Sequence, residues 1–456
     1  MKSKTIAFHH FGCKVNFAET SSLSRQFHES GYEITNFHDQ ADVYVISTCV
    51  VTAVAEKKCR AAIRQAHKLN PNARIAVIGC FSELKPSELA NMDGVALVLG
   101  HSGKFRLLEE LTLLDQRERP GYEATPSIKQ DSKDPGTDHD YHPGISTPGF
   151  SDRESFVPSF SYGDRTRSFL KIQDGCDYYC SYCTIPLARG HSRSDTIENV
   201  LKNAREIIRH GIKEIVLTGV NIGDFGKQNG ENFLQLICSL DHLEGISRFR
   251  ISSIEPDLLS NEIIEFVAAS RNFLPHFHIP LQSGSNKILK SMHRRYHREL
   301  YAERIMKIRS LMPFACIAAD VITGFPGETD EDFNDTLTFL KNLDISYLHV
   351  FTYSKRENTL AAKMESVIQD KTKKERSELL HRLSEEKKRQ FYLQNKGLEV
   401  KVLLESDNSM GYMHGFSENY IKVKTKYNPA FVNQVIQLKL ENLTEDGYLV
   451  NENIKS

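Results

Sequence analysis

The sequence predicts an α/β protein with three folded parts. These are an N-terminal open parallel sheet, a central partial (β/α)6 barrel and a small C-terminal all-β barrel. Three observations predict this. Continuous apolar runs of strand length alternate with helix-like segments over residues 1–116, the pattern of a parallel sheet covered on both faces. The alternation returns six times over residues 161–368. From residue 398 onward, short segments carry apolar residues at alternate positions, as half-buried strands do.

In the first part, residues 5–10, 42–47, 74–78 and 95–99 read as strands. Residues 19–30 read as a helix ended by Gly31, and a second helix runs through Lys68 and stops before Pro71. Residues 117–160 are dominated by Pro, Gly, Asp, Ser and His and read as a loosely ordered linker. Its His139 and His142 read better as a solvated loop than as a metal site. In the central part, the expected strands are 169–173, 214–217, 248–253, 276–280, 317–322 and 347–353. Helices are expected at 197–209, 232–240, 261–269, 298–312 and 331–343, the last capped by Thr329 with Asp332. Residues 369–397 form a basic helical connector, with nine Lys or Arg against four Glu between 371 and 396. In the tail, residues 398–404, 420–424 and 435–440 read as strands.

The chain has 456 residues and a net charge of −1, so no global excess of basic residues announces a nucleic-acid partner. Its start lacks the apolar core of a secretion signal, and no apolar run reaches the ~18 residues of a membrane span. Nine cysteines without a secretion signal imply a reducing compartment, so a cytoplasmic protein with no membrane partner is expected.

Cys176, Cys180 and Cys183 follow the first barrel strand in a CxxxCxxC run. Three thiolates in one tight loop can ligate three irons of a 4Fe-4S cluster, which ordinarily takes four cysteines. The missing ligand leaves one iron open, and an open metal position is where a substrate or cofactor binds. A zinc site would need a fourth Cys or His at zinc spacing, and none is near. Cys13, Cys49 and Cys80 each follow one of the first three N-terminal strands. Ligands gather beyond the carboxyl ends of parallel strands, so the topology gathers these three into a second candidate 4Fe-4S site. The competing reading is three ordinary buried cysteines. Cys59, Cys238 and Cys316 read as packing residues.

Small and polar residues recur at the barrel mouth. Thr218, Gly219 and Asn221 follow the second strand, Ser253 and Glu255 the third, and Gln282 the fourth, while Ile322 ends the fifth. With Tyr182 of the cysteine loop they form the candidate cofactor-binding set. Arg294, Arg295 and Arg298 lie in a basic run after the fourth strand and are candidate RNA contacts. Lys387, Lys388 and Arg389 are a second set, for which a solvated helix face is an equal reading.

The CxxxCxxC loop is the signature of the radical S-adenosylmethionine (SAM) superfamily. Over nearly its full length the chain resembles the radical-SAM methylthiotransferases. The motifs are Phe11-Gly-Cys-Lys-Val-Asn, Thr48-Cys-Val-Val-Thr, Ala188-Arg-Gly-His-Ser-Arg-Ser, His278-Ile-Pro-Leu-Gln-Ser-Gly-Ser and Asp320-Val-Ile-Thr-Gly-Phe-Pro-Gly-Glu-Thr. Gly-Cys-Lys-Val-Asn with Thr-Cys-Val-Val-Thr is most similar to the MtaB branch, which acts on threonylcarbamoyladenosine beside the tRNA anticodon. The resemblance implies two 4Fe-4S clusters, SAM as radical source and methyl donor, an external electron donor and a tRNA anticodon stem-loop as partner. The cluster on Cys176, Cys180 and Cys183 would cleave SAM to a deoxyadenosyl radical that takes hydrogen from C2 of adenine. The cluster on Cys13, Cys49 and Cys80 would hold the sulfur. It also implies that the C-terminal barrel is TRAM-like, although residues 398–456 hold six Lys, no Arg and eight acidic residues. Three other readings stand beside this: an isopentenyladenosine enzyme of the MiaB type, a ribosomal-protein aspartate modifier of the RimO type, and a non-catalytic iron–sulfur RNA-binding protein.

Overall fold

Strands of the N-terminal part are continuous apolar runs because both faces of the sheet are covered. Val43–Thr48 is buried at every position. The computed structural model describes residues 3–117, 145–146, 155–163, 165–444 and 449–451. It divides into two compact units, residues 1–155 with 187–190, and residues 156–186 with 191–456.

The first unit holds strands β1 (Thr5–His10), β2 (Glu33–Thr35), β3 (Val43–Thr48), β4 (Arg74–Gly79), β5 (Val95–Leu99) and β6 (Ile145–Ser146). They form one parallel sheet in the order β2-β1-β3-β4-β5-β6. Helices α1 (Lys14–Glu29), α2 (Ala53–Leu69), α3 (Cys80–Leu84), α4 (Pro86–Ala90) and α5 (Leu107–Arg117) connect the strands. The strand order reverses between β1 and β3, which makes their carboxyl ends the natural ligand crevice. Two expectations need correction. Helix α1 begins at Lys14, directly after Cys13, and not at residue 19. The stretch 117–160 is not wholly a linker, because β6 pairs with β5 and β7 (Ser159–Phe160) joins the second unit. His139 and His142 lie outside the described residues.

In the second unit, β8 (Ser168–Lys171), β11 (Ile215–Thr218) and β12 (Phe249–Ile251) pair in parallel, with β7 antiparallel at the edge. The short β9 (Gln173–Asp174) and β10 (Arg193–Ser194) form a separate ribbon. Strands β13 (His276–Gln282), β14 (Cys316–Thr323) and β15 (Tyr347–Thr352) form a second parallel sheet. The two sheets meet through a parallel bridge between Ser253 and His278. Six parallel strands in sequence order thus make the expected partial barrel. Its crossovers carry α6 (Ile185–Arg189), α7 (Ile197–Arg209), α8 (Phe233–Asp241), α9 (Asn261–Ala269), α10 (Asn286–Ser291), α11 (Arg298–Leu311) and α12 (Asp330–Asn342). Thr329 and Asp332 close the predicted capping box on α12. One apolar layer, including Leu170, Leu217, Ile251, Ile279, Ala319 and Leu348, joins the strands to the helices around them. Alternation then turns their sequence neighbours into the barrel lumen.

Helix α13 (Asp370–Gln394) leads to β16 (Glu399–Leu404), β17 (Tyr412–Phe416), β18 (Lys422–Lys426), β19 (Val435–Lys439), β20 (Asn442–Leu443) and β21 (Leu449–Asn451). These form a mostly antiparallel half-barrel in the order β19-β16-β17-β18-β21-β20. Arg248 and Arg250, at the start of β12, fasten it to the foot of the central barrel. Their guanidiniums pair with the buried Glu214 and donate to the carbonyls of Lys401, Phe416, Ser417 and Glu418. The attachment is at the amino ends of the parallel strands, opposite the cysteine loop.

Candidate metal centres and cofactor site

In the first unit, the loops after β1, β3 and β4 touch. Gly12 has φ +95°, and a Cβ there would lie 2.8 Å from both Cβ and Sγ of Cys49. Gly79 has φ +104°, and its Cβ would meet the Thr48 carbonyl at 3.0 Å. Only glycine permits both the conformation and the approach. Thr48 ties the loops further, donating to the Ile78 carbonyl at 2.7 Å and accepting from the Phe81 amide at 3.2 Å. Asn16 donates to the carbonyls of Phe11 and Thr48, both at 2.9 Å. Cys13 is exposed, while Cys49 and Cys80 are buried. Burial pushes the Cys49 thiol up to about 12, and the nearby Cys80 and Cys13 push the same way. Such a thiol is no nucleophile at neutral pH. It becomes a thiolate when a metal replaces its proton.

This centre includes residues that spacing did not reveal. Arg189, in the segment 187–190 that packs with this unit, donates from Nε to Cys80 Sγ at 3.2 Å and from Nη2 to Asn16 Oδ1 at 2.6 Å. It also pairs with Glu19, which pairs with Lys104. All three charged groups are buried. Arg189 and Lys104 both bring positive charge towards Cys80, which favours anionic sulfur there. Burial raises the Cys80 thiol, and Arg189 and Lys104 work against that rise. Cys59 lies in α2 with its thiol against the Cys49 backbone, among Ala62, Ile63 and Ala66.

In the second unit, the loop bearing Cys176, Cys180 and Cys183 leaves β9 through Gly175 (φ +70°). Gln173 anchors it. Its Nε2 donates to the Asp174 and Gly175 carbonyls, each at 2.9 Å, and its Oε1 accepts from the Val220 and Asn221 amides at 2.9 and 2.7 Å. Ser181 donates to the Met292 carbonyl at 3.1 Å and accepts from the Ala361 amide at 2.8 Å. Tyr182 and Ile322 pack in one apolar cluster with Phe325 and Tyr353 beneath the loop. Burial pushes Cys176 and Cys183 up to about 12 each, as in the first centre. Thr218 and Asn221 are buried, and Asn221 Oδ1 lacks any hydrogen-bond partner. A buried orphan acceptor beside the cysteine loop is what an absent ligand leaves. Glu255 lies at the same mouth. Burial pushes its carboxyl up to about 7, although Arg294 pulls it down. Gln282 ends β13 in a left-handed conformation (φ +67°), where the pairing register shifts.

Four expectations change. Arg294 is not an RNA contact: its side chain is 3% exposed, it pairs with Glu255, and it donates to Cys180 Sγ at 3.1 Å. Arg298 donates to the Gly284 carbonyl at 3.0 Å and is only partly exposed at the start of α11. Lys387 spends its ammonium on the Leu343 carbonyl at 2.8 Å, behind α12. Gly219 makes room for the protein rather than a ligand, since a Cβ there would meet the Gln173 carbonyl and Oε1 at 2.9 Å. Arg295 and Arg389 are exposed, and Lys388 is partly so. Arg295 lies over the Tyr178 ring and donates to the Asp177 carbonyl at 2.7 Å.

Residues 5–100 match the model of the Uncharacterized protein family UPF0004, and residues 170–340 match that of the radical SAM superfamily. The threonylcarbamoyladenosine tRNA methylthiotransferase MtaB of Bacillus subtilis (strain 168) is 38% identical over 455 residues, covering 98% of this chain and 95% of that protein. The protein of the same name from Aquifex aeolicus (strain VF5) is 37% identical, covering 92% and 96%. A tRNA-2-methylthio-N(6)-dimethylallyladenosine synthase of Fusobacterium nucleatum is 31% identical, covering 94% and 95%. Among solved structures, the radical SAM methyltransferase TsrM from Kitasatospora setae shares the fold, with a TM-score of 0.55 at 14% identity over 79% of this chain and 74% of that one. Identity of this order over whole chains, with both cysteine triads on strand ends, places the protein: it belongs to the radical SAM tRNA methylthiotransferases, in the threonylcarbamoyladenosine group.

Proposed function

We propose that this chain adds a methylthio group to C2 of N6-threonylcarbamoyladenosine beside the tRNA anticodon. The observation that carries the reading is full-length similarity to enzymes of that name, together with two separate three-cysteine centres. Cys176, Cys180 and Cys183 would hold one 4Fe-4S cluster with an open position for SAM, and Cys13, Cys49 and Cys80 the other. When bound, these groups supply radical generation from SAM and delivery of sulfur and methyl. Three cysteines on linked loops suit such clusters.

The chain's own residues supply position and charge. Gln173 holds the cysteine loop against the Val220–Asn221 turn. Asn221 Oδ1 offers a fixed acceptor for a polar hydrogen of the cofactor, and the Tyr182–Ile322 cluster keeps water out below it. Arg294 and Arg189 each donate to one ligand sulfur while paired to a carboxylate, which balances anionic sulfur in each centre. Residues 1–116 then act as the methylthiotransferase domain, 161–368 as the radical-SAM barrel, 369–397 as the connector and 398–456 as a TRAM-like module. Arg295, Lys388 and Arg389 would meet tRNA phosphates, an external donor would supply electrons, and the work would proceed in the cytoplasm. Among the described residues no helix is long and apolar enough to cross a membrane.

Nucleoside mass spectrometry of total tRNA from a deletion strain tests this. The methylthiolated threonylcarbamoyladenosine should vanish and return when the gene is restored. An unchanged nucleoside profile overturns the assignment.

A further inference from the structure

On the lumen side of β13, β14 and β15, three side chains meet outside both cysteine centres. His278, Asp320 and His349 each bring a ligand-type atom to within 4.8 Å of the others. His278 Nε2 lies 2.6 Å from Asp320 Oδ1, and the two imidazole rings are 5.1 Å apart. Tyr347 meets the His349 ring edge-on at 5.3 Å. Asp320 and His349 are register partners on adjacent strands. Their neighbours Ile279, Ala319 and Leu348 belong to the helix-facing apolar layer, so these three face inward. The cluster sits below the strand ends: Asp320 is two residues before Ile322, about 7 Å along a strand. It is therefore within reach of a substrate held against the cofactor residues at the mouth.

His278 and Asp320 are half-buried and His349 is exposed, so the three line an open stretch of the lumen that a substrate can reach. Asp320 accepts the Nε2–H of His278 and holds that ring in one orientation, and the His278 ring stands beside His349, whose imidazole brings one N–H donor to the lumen. An imidazole donates to a carboxylate in its neutral or its protonated form, and more strongly when protonated. The N6-threonylcarbamoyl group carries a carboxylate and a hydroxyl. A dimethylallyl group in the same place offers no acceptor. Building on the functional reading above, we infer that His349, oriented beside the His278–Asp320 pair, is the specificity-determining contact that recognises the carboxylate of the threonylcarbamoyl side chain.

The test uses the full chain with both clusters reconstituted and two tRNA substrates. One carries threonylcarbamoyladenosine, the other its neutral methyl ester. Wild-type enzyme should lose about tenfold to a hundredfold in kcat/KM on the ester, the usual worth of a hydrogen bond to a charged group. His349→Phe should lose a similar factor on the natural substrate and show no further loss on the ester, because both changes remove one interaction. His349→Gln, which keeps a donor, should recover part of the loss. Iron content and tRNA-free SAM cleavage should match wild type in both variants, which separates lost recognition from lost folding. Equal rates of wild type on acid and ester overturn the inference without reference to any variant. So does a His349→Phe enzyme that still discriminates the ester as wild type does. Wild type that leaves the natural substrate unmodified brings down the functional reading itself, a failure visible before any variant is compared.

Discussion

Two neighbouring arginines, Arg294 and Arg295, show what a residue type can and cannot say. The sequence presents a basic run and nothing about which way each side chain turns. Arg294 turns into the site, where it pairs with Glu255 and donates to Cys180 Sγ, while Arg295 stays outside on the Tyr178 ring. Arg294→Ala should cost about 1–3 kcal/mol, the penalty for leaving the half-buried Glu255 carboxyl without its partner. Denaturant unfolding of the chain measures it, and a change below about 1 kcal/mol would return Arg294 to the surface. Arg295→Ala should change stability by about 0.5 kcal/mol or less. It should instead lower the slope of log affinity for tRNA against log salt by about one. The cysteines were legible because their chemistry is encoded in type and spacing. Arg189 was not, because its partners Cys80, Asn16 and Glu19 lie more than a hundred positions away.

At the scale of elements, strand positions were readable from apolar runs, and the six barrel strands fall where expected to within a few residues. Several strands escaped notice, three of them for reasons visible in the sequence. Glu33–Thr35 and Ile145–Ser146 are short edge strands whose identity comes from their partners, and Tyr412–Phe416 contains a glycine that hides its alternation. Turns carry the centres, so turn glycines are where a small change should do the most damage. Gly12→Ala adds a Cβ 2.8 Å from Cys49 Cβ in a left-handed backbone conformation. Iron per reconstituted chain should fall by roughly half, since one of two similar clusters would be lost. Cys59→Ala is the matched control. Its thiol is near Cys49, yet it faces the apolar core of α2, so iron content should hold and only stability should drop. A Cys59 variant that loses a cluster would make Cys59 a ligand and change the donor count of this centre.

For the whole molecule, charge fastens the C-terminal half-barrel, and the two cysteine centres divide between two units. The C-terminal half-barrel is held by Arg248, Arg250 and Glu214. Burial alone would raise the Glu214 carboxyl, but Arg250 and Arg248 outweigh it and hold it at about 2. A carboxyl lowered on folding adds stability above its ordinary value near 4.5, and that stability is lost as pH falls towards 2. The difference corresponds to about 3 kcal/mol. Calorimetry should therefore show the half-barrel loosening between about pH 4.5 and 2, and Glu214→Gln should unfold more easily at neutral pH with a flatter acid limb. An unchanged acid limb in that variant would remove Glu214 from the fastening. The two cysteine centres belong to different compact units, Cys49 to one and Cys176, Cys180 and Cys183 to the other. Cys49→Ala should therefore spare the central cluster. Under reduction the variant should still cleave SAM to deoxyadenosine, while forming no methylthiolated tRNA, because the centre proposed to carry the sulfur would have lost a ligand. Liquid chromatography of deoxyadenosine and nucleoside mass spectrometry on one reaction read both outcomes together. Wild-type thiolation by Cys49→Ala would leave the first unit without a chemical role, and the methylthiotransferase assignment would go with it.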